Sequence, residues 1–288
     1  MNGSTTFEYE NAIGKILFAK SGPFWVTDID SVSSVDIDIA ASQSPLQIGS
    51  SLHNQSVAPR SITLDGALFE PLEANRKHLL RVLAPQVPST LTVYQNGESW
   101  FLDVFPEKTP DISPGEGVQY FQTRLYAPYP YWKSVETHTQ QLVGLSPLFR
   151  FPYVEEGNWK LSEFSDNYYA TVENTGNAPV GFKVVFSARA TLSNPELQHL
   201  NTGEKIKIIR KTMAPGEKLV VSTLDGQKGV TCIDALGNES NGFRYLSTDS
   251  HLKMALLPGQ NLLRFDAATN RAALSVRIEA PKGVVSGV

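Results

Sequence analysis

The chain has 288 residues, of which 41% are hydrophobic and 19% charged, with a formal net charge of -4 and a single cysteine. That is enough apolar material for real cores in two domains and too much for a disordered chain. The acidic balance argues against a nucleic-acid binder, and the lone Cys232 excludes an internal disulfide or a paired-cysteine zinc site.

The first residues, MNGSTTFEYENAIG, have neither a basic start nor an apolar run, so no signal peptide is expected. No window approaches the ~18 continuous apolar residues of a membrane span, and membrane insertion is not expected. Synthesis in a cytoplasm follows from that reading.

Period-two alternation then dominates. In Ser34–Ile39, Val35, Ile37 and Ile39 alternate with Ser34, Asp36 and Asp38, which predicts a half-buried strand with one wet face. Ile62 with Leu64, and Leu91 with Val93, repeat the pattern. Asn96-Gly97 lies between two strand-like runs and predicts a β-hairpin, because this pair supplies the positive φ angles of a type I′ turn. Trp100 and Phe101 follow on opposite faces of the second strand. One helix is expected, over Pro71–Leu83, with Leu72, Leu79, Leu80 and Leu83 as its apolar stripe and Pro85 as its stop. Val118–Tyr126 predicts a further strand, which runs into Pro128, Tyr129, Pro130, Tyr131 and Trp132.

From Lys133 to Asp166 the alternation weakens, and the stretch reads as a linker or lead-in. Beyond it, strands are expected at Tyr168–Glu173, Gly181–Ser187, Lys205–Arg210, Lys218–Thr223, Gly229–Asp234 and Asn261–Asp266. Short strands separated by turns imply an antiparallel β-sandwich. Three segments result: an N-terminal β-rich domain with one short helix (1–132), the lead-in (133–166) and the C-terminal sandwich (167–288).

Catalytic groupings are not apparent. None of His53, His78, His138, His199 and His251 sits three or four residues from another, and neither a nucleophile elbow nor a phosphate loop occurs. Asp28, Asp30, Asp36 and Asp38 lack the third ligand and glycine of a calcium loop, so they read as decoration of wet strand faces. Trp159, Tyr168 and Tyr169 read as sandwich core or as a sugar platform. No cofactor and no metal are expected, nor is an enzyme.

The order of several short motifs resembles a known family. Pro23-Phe24-Trp25-Val26-Thr27-Asp28-Ile29, Ile48-Gly49-Ser50 followed by Pro59 to Gly66, and Arg76 to Pro85 are similar to early features of the distal tail protein (Dit) family. That family belongs to phages with long, non-contractile tails and related prophages. Phe121 to Pro128 with Tyr131-Trp132 resembles the closing signature of its N-terminal domain. Asn201-Thr202-Gly203-Glu204, Pro215-Gly216-Glu217 and Leu257 to Asn261 resemble turns of its C-terminal domain.

The resemblance implies a hexameric ring built by the N-terminal domain, with a galectin-like C-terminal sandwich outside it. Such a ring joins the tail tube to the tip complex. Its implied partners are further copies of itself, the tail tube, tape-measure-associated tip proteins, and tail-associated or receptor-binding proteins at the virion tail tip. With it, Asn96, Gly97 and Trp100 are expected at the ring contact, and Pro128, Pro130, Tyr131 and Trp132 as a stiff domain exit. The alternative is a carbohydrate-binding or adhesion module. Its nearest sugar-site match is His199-Leu200-Asn201, where Gly203 replaces the arginine that a galectin strand carries.

Overall fold

The computed structural model describes residues 5–142, 145–147, 162–164 and 168–288. Among them there is one α-helix, and the strand pairs are antiparallel throughout. The fold is therefore mainly β, as the alternation predicts. The chain divides into two compact units, Met1–Glu136 with Val284–Val288, and Thr137–Gly283. In sequence, the second unit is inserted into the first.

The first unit begins with β1 (Thr6–Asn11), β2 (Lys15–Phe18), β3 (Phe24–Ile29), β4 (Ile37–Ser42), β5 (Ser51–Val57) and β6 (Arg60–Phe69). It continues with α1 (Leu72–Val82), β7 (Ser89–Gln95), β8 (Glu98–Ile112), β9 (Val118–Ala127) and β10 (Trp132–Ser134). Seven of these strands join in the order β2-β1-β7-β8-β9-β6-β3. Alternation sets the buried face: β9 buries Phe121, Thr123, Leu125 and Ala127 and exposes the residues between them. β8 changes partner along its length, pairing with β7 over Glu98–Val104 and with β9 from Phe105 onward. Register shifts on either side of Lys108 accompany that change, and Pro106, which has no N–H to donate, adjoins the first. At Gly66 an added Cβ would lie 2.3 Å from the Phe121 side chain, so only glycine fits where β6 crosses that ring.

The helix covers the core with Leu79 and Val82, and Leu83 just beyond it is also buried. Leu80, expected on the same stripe, is 40% exposed, because it lies about 100° around the helix from Leu79. Pro71 precedes the helix in extended conformation rather than sitting in its first turn.

One strand expectation is corrected. The Ser34–Ile39 segment does not form a half-buried strand: β4 starts at Ile37 and is exposed along its whole length. Among the described residues it pairs with β5 alone, in a separate two-stranded sheet, and no second layer covers either face.

The second unit contains β11 (Thr137–Leu142), β12 (Leu145–Pro147), β13 (Ser162–Phe164), β14 (Tyr169–Asn174), β15 (Lys183–Ala188), β16 (Leu192–His199) and β17 (Lys205–Lys207). It goes on with β18 (Thr212–Met213), β19 (Lys218–Ser222), β20 (Gly229–Ile233), β21 (Glu239–Asn241), β22 (Gly259–Thr269) and β23 (Leu274–Pro281). One sheet has the order β11-β23-β15-β19-β20-β21, the other β14-β22-β16-β17 with β18 beside β16. Val184, Phe186, Leu219, Val221, Val276 and Ile278 are buried on the first, Val172, Leu197, Leu263 and Phe265 on the second. Two sheets that each bury alternate residues within one compact unit make an antiparallel sandwich. Cys232 is buried in β20, and burial raises its thiol pKa.

Of the stretch 133–166, Thr137–Leu142 is strand β11 and pairs with β23 along its full length. Lys133 and Ser134 belong to β10, β12 pairs with β13, and most of the remainder lies outside the described residues. After Gly283 the chain returns to the first unit as β24 (Val284–Val285), which pairs with β10 through Trp132↔Val285 and Lys133↔Val284. Val284 is buried, and Val285 and Val288 pack on the first unit's core.

Candidate assembly interface

The segment Ser31–Pro59, which contains β4 and β5, has Asp36 and Asp38 as its only acidic residues and no lysine or arginine. Most of its other side chains are small, polar or aliphatic. On β4, Ile37, Ile39 and Ala41 share a face. Their partners are Val57, Gln55 and Leu52. Unshifted pairing would put His53 opposite Ala41 and turn Leu52 to the other side. A bulge between Ala40 and Ala41 accommodates His53, whose Nε2 lies 2.5 Å from Ser42 Oγ, and keeps Leu52 on the apolar face. Ile39 is 65% and Leu52 62% exposed, so nothing among the described residues covers this face.

The hairpin tip offers two more apolar side chains. Gln47 N–H donates to Ser44 O at 3.0 Å, closing a turn with Pro45 second and Leu46 third. Leu46 has φ 67°, a conformation that glycine or asparagine normally takes in such a turn. For leucine it costs about 1–2 kcal/mol. Gln43 Nε2 donates to Gln47 O, Ser44 N to Gln47 Oε1, and Gln47 Nε2 to Ser51 Oγ. These bonds order the turn while Leu46 and Ile48 remain fully exposed. An ordered tip that holds a leucine outward in an unfavourable conformation is poor design for contact with water alone.

The root of the hairpin is anchored. Arg60, only 3% exposed, donates through Nε to Pro130 O at 2.8 Å, through one terminal nitrogen to Ser31 O and to Val32 O at 2.8 Å, and through the other to Ser286 O. Burial pushes this guanidinium down to about 10, and the charge of Asp36 opposes that shift. Trp132 is fully buried and donates from Nε1 to Val32 O at 2.9 Å, with the Arg60 guanidinium carbon 5.8 Å from its ring centroid. An added Cβ on Gly287 would meet Ser33 O at 2.0 Å. The aromatic exit and the last residues thus grip the two sides of the hairpin's base. A freely pivoting strand pair would lose more entropy on docking than one held in this way.

Of the expected exit residues, Pro130 and Trp132 belong to this anchor. Pro130 is buried, Tyr129 and Tyr131 meet edge to face with centroids 5.5 Å apart, and Lys133 lies 5.2 Å from the Tyr129 ring and 2.6 Å from Asp103. Pro128 is exposed. Asn96 and Gly97 have φ 53° and 83°, and they turn β7 into β8. Trp100 is half-buried within the sheet, paired with Val93 on one side and Ser134 on the other, with Nε1 3.2 Å from Glu98 Oε2. It does not sit on a protruding arm.

In the second unit, His199 is fully buried. Its Nδ1 accepts from Thr202 N–H at 3.3 Å, so its proton sits on Nε2 and is donated to Asn261 Oδ1 at 2.9 Å. Asn201 Oδ1 accepts from Leu262 N–H. Both are committed to the turn. Tyr168 packs edge-on to Phe265, Tyr169 is exposed, and Trp159 lies outside the described residues. Asp28 and Asp30 accept from the N–H groups of Ile29 and Ser31. Among the described residues no group of three or more His, Cys, Asp or Glu could hold a metal, and no helix is long and apolar enough to cross a membrane.

No family model and no curated protein matches the sequence. Solved structures match the fold. The Dit protein of phage SPP1, described as a paradigm of the hub adsorption apparatus in phages infecting Gram-positive bacteria, superposes with a TM-score of 0.68 at 14% identity. The match covers 95% of this chain and 98% of that one. Chains of the phage P2 baseplate in its activated conformation match at TM-score 0.54 and 11% identity. Coverage is 97% of this chain and 98% of that one in the calcium form, and 96% and 97% in the strontium form. This chain has the fold of a Dit hub protein over nearly its whole length.

Proposed function

We propose that this protein is a structural component of a phage tail tip. It forms a hexameric ring that joins the tail tube to the tip complex engaged in host attachment. The observation that carries the reading is the apolar β4–β5 hairpin, uncovered among the described residues, in a chain that shares the fold of a phage hub protein and a phage baseplate chain over nearly its whole length. Six copies is the number that the family resemblance implies. Head-to-tail contacts of one surface with a different surface on the next copy close into such a ring. Burying a large aliphatic side chain is worth about 1.5–3 kcal/mol, so Ile37, Ile39, Leu46, Ile48 and Leu52 offer roughly 10 kcal/mol gross per arm. That lies within the range of about 4–15 kcal/mol that association costs in lost freedom.

In this reading the protein is not an enzyme and needs no cofactor. It is made in the host cytoplasm and ends in the virion tail tip. Its partners are its own copies, the tail tube and tape-measure-associated tip proteins. The C-terminal sandwich, which the resemblance makes galectin-like, serves tail-associated or receptor-binding proteins. Trp100, beside the Asn96-Gly97 turn, is a second candidate contact.

Sedimentation velocity on the full chain tests the proposal. A species near six times the 31.6 kDa chain mass is expected at on the order of 10 µM. Ile39→Asp with Leu52→Asp should reduce it to monomer without lowering Tm. A wild-type monomer at that concentration, or a ring indifferent to both aspartates, would overturn it. In Trp100→Ala, loss of the ring at unchanged Tm would put Trp100 in the interface. Loss of both would put it in the core.

A further inference from the structure

The first unit carries nine lysines and arginines against fifteen aspartates and glutamates, and they are unevenly spread. Residues 21–59 hold Asp28, Asp30, Asp36 and Asp38 and no lysine or arginine. All four are exposed around the root of the β4–β5 hairpin. Asp28 stands opposite Asp65 on β6, Asp30 N–H donates to Thr63 O, and Asp36 O accepts from Ala58 N–H. The base nearest to them in the chain, Arg60, is buried and donates to backbone carbonyls. α1 has the opposite balance: Arg76, Lys77 and Arg81 are exposed on its outer side, and Glu73 is its only acid.

The two clusters cannot neutralise each other within one copy. β5 leads into β6 at Arg60, whereas α1 follows β6 beyond Phe69, and a strand of that length spans about 30 Å. His78 packs on Phe24, which stands opposite Leu68, so the helix is held at the far end of β6 from the hairpin. Even Asp28, four residues along β3 from Phe24, lies about 13 Å from that contact. Salt screens exposed charges over about 8 Å at physiological ionic strength. On the helix itself, Lys77 pairs with Glu73 at 2.9 Å, but Arg81 reaches His78 Nδ1 at 3.4 Å, a ring nitrogen and not a carboxylate. Leu80, one turn beyond Arg76, is 40% exposed, and Ala74, Lys77, His78 and Arg81 line a groove of about 370 Å³. Such a face fits an acidic, partly apolar partner, and every copy of the chain presents one at its other end. Two α1 faces repel, as do two hairpin roots, so the charges favour head-to-tail contact over a symmetric pair.

We propose that the outer face of α1 is the docking surface for the acidic hairpin root of a second copy of this chain, with Arg76 and Arg81 facing Asp28, Asp30 and Asp38 across the contact. The inference rests on the ring reading and deepens it. The apolar face of the hairpin gives the contact its strength, and the charges give it direction and register.

The experiment is a charge swap on the full chain, read by sedimentation velocity at on the order of 10 µM. One variant carries Arg76→Glu with Arg81→Glu, the other Asp28→Lys with Asp38→Lys. Asp36 is left in place because its charge favours the buried Arg60 guanidinium. Each variant alone should assemble at least about tenfold more weakly than wild type, with Tm unchanged because all four side chains are exposed. An equimolar mixture should assemble again. In it, each unaltered Asp root meets an unaltered Arg face and each Lys root meets a Glu face, and strict alternation closes a ring of six. Wild-type assembly should also weaken about tenfold between roughly 0.05 and 1 M NaCl, as the Debye length shrinks to about 3 Å. A ring that forms in wild type and in either variant alone with equal affinity would overturn this proposal while leaving the ring reading intact. So would a mixture that stays monomeric while wild type assembles. A wild-type chain that is itself monomeric would overturn both.

Discussion

Both β7–β8 and β4–β5 are antiparallel hairpins with apolar residues at alternate positions. Yet Leu91, Val93, Leu102 and Val104 are fully buried, while Ile37, Ile39 and Leu52 face water. The difference lies in what stands beside each pair. β7 is flanked by β1, β8 by β9 and β10, and the core lies behind them. Among the described residues β4 and β5 have only each other. Alternation tells that a strand has an apolar face. It is silent on whether the same chain or another one covers that face.

The largest expected effect lies in the covered hairpin. Leu91→Ala or Leu102→Ala should each lower the unfolding free energy by about 2–5 kcal/mol, because a fully buried leucine leaves a cavity behind. Urea denaturation followed by circular dichroism reads this directly. Ile39→Ser in the exposed hairpin should change monomer stability by less than about 0.5 kcal/mol, as surface substitutions do. It should nevertheless weaken assembly. If Ile39→Ser destabilises the monomer as much as Leu91→Ala does, the two hairpins do not differ as described.

Much of this contrast is hidden in the sequence, for identifiable reasons. The helix and the Asn96-Gly97 turn were legible because their signals are local: a stripe at helical spacing, and a residue pair suited to positive φ. The β4 alternation was equally legible, but its burial depends on partners distant in sequence or absent from the chain. β16 escaped notice because Asn194 and Pro195 interrupt it, and proline argues against an interior strand. It survives because Asn194 takes φ 50° and accepts Lys211 N–H on its side chain, while Pro195 O accepts from Ile208 N–H. Arg60 read as one more strand residue. Its acceptors are the backbone carbonyls of Ser31, Val32, Pro130 and Ser286, which no residue type announces. A better signal for the arm was the long stretch without lysine or arginine and its Pro-Leu turn.

Tyr9 sharpens the contrast on the covered side. It pairs with Leu91 on β7, is fully buried and donates to Ser89 Oγ at 2.7 Å. Burial raises its phenol above the ordinary 10.0. As pH climbs past that ordinary value, the unfolded chain releases this proton while the folded chain still holds it, so stability falls. Below it the group contributes no slope. Tyr9→Phe should cost about 1 kcal/mol at neutral pH through the lost hydrogen bond. It should also flatten the alkaline fall in Tm relative to wild type. A fall equally steep in both proteins would mean that Tyr9 is not the group responsible.

The smallest effect has the opposite sign and tests the arm's tip. Leu46 holds a left-handed conformation while fully exposed, so its side chain gains nothing from the folded monomer and its backbone is strained. Glycine relieves that strain but loses more entropy on folding. With relief of about 1–2 kcal/mol set against roughly 0.5–1 kcal/mol, Leu46→Gly should leave the monomer slightly more stable. The same substitution removes an apolar tip from the proposed contact, so assembly should weaken as monomer stability rises. No residue buried in its own fold combines those two responses. Paired measurements of monomer unfolding and assembly mass on this one variant therefore separate a side chain kept for a partner from one kept for the fold. A drop in monomer stability would mean that Leu46 packs against its own chain. An unchanged assembly would remove the tip from the interface and leave the contact to the Ile37, Ile39 and Leu52 face.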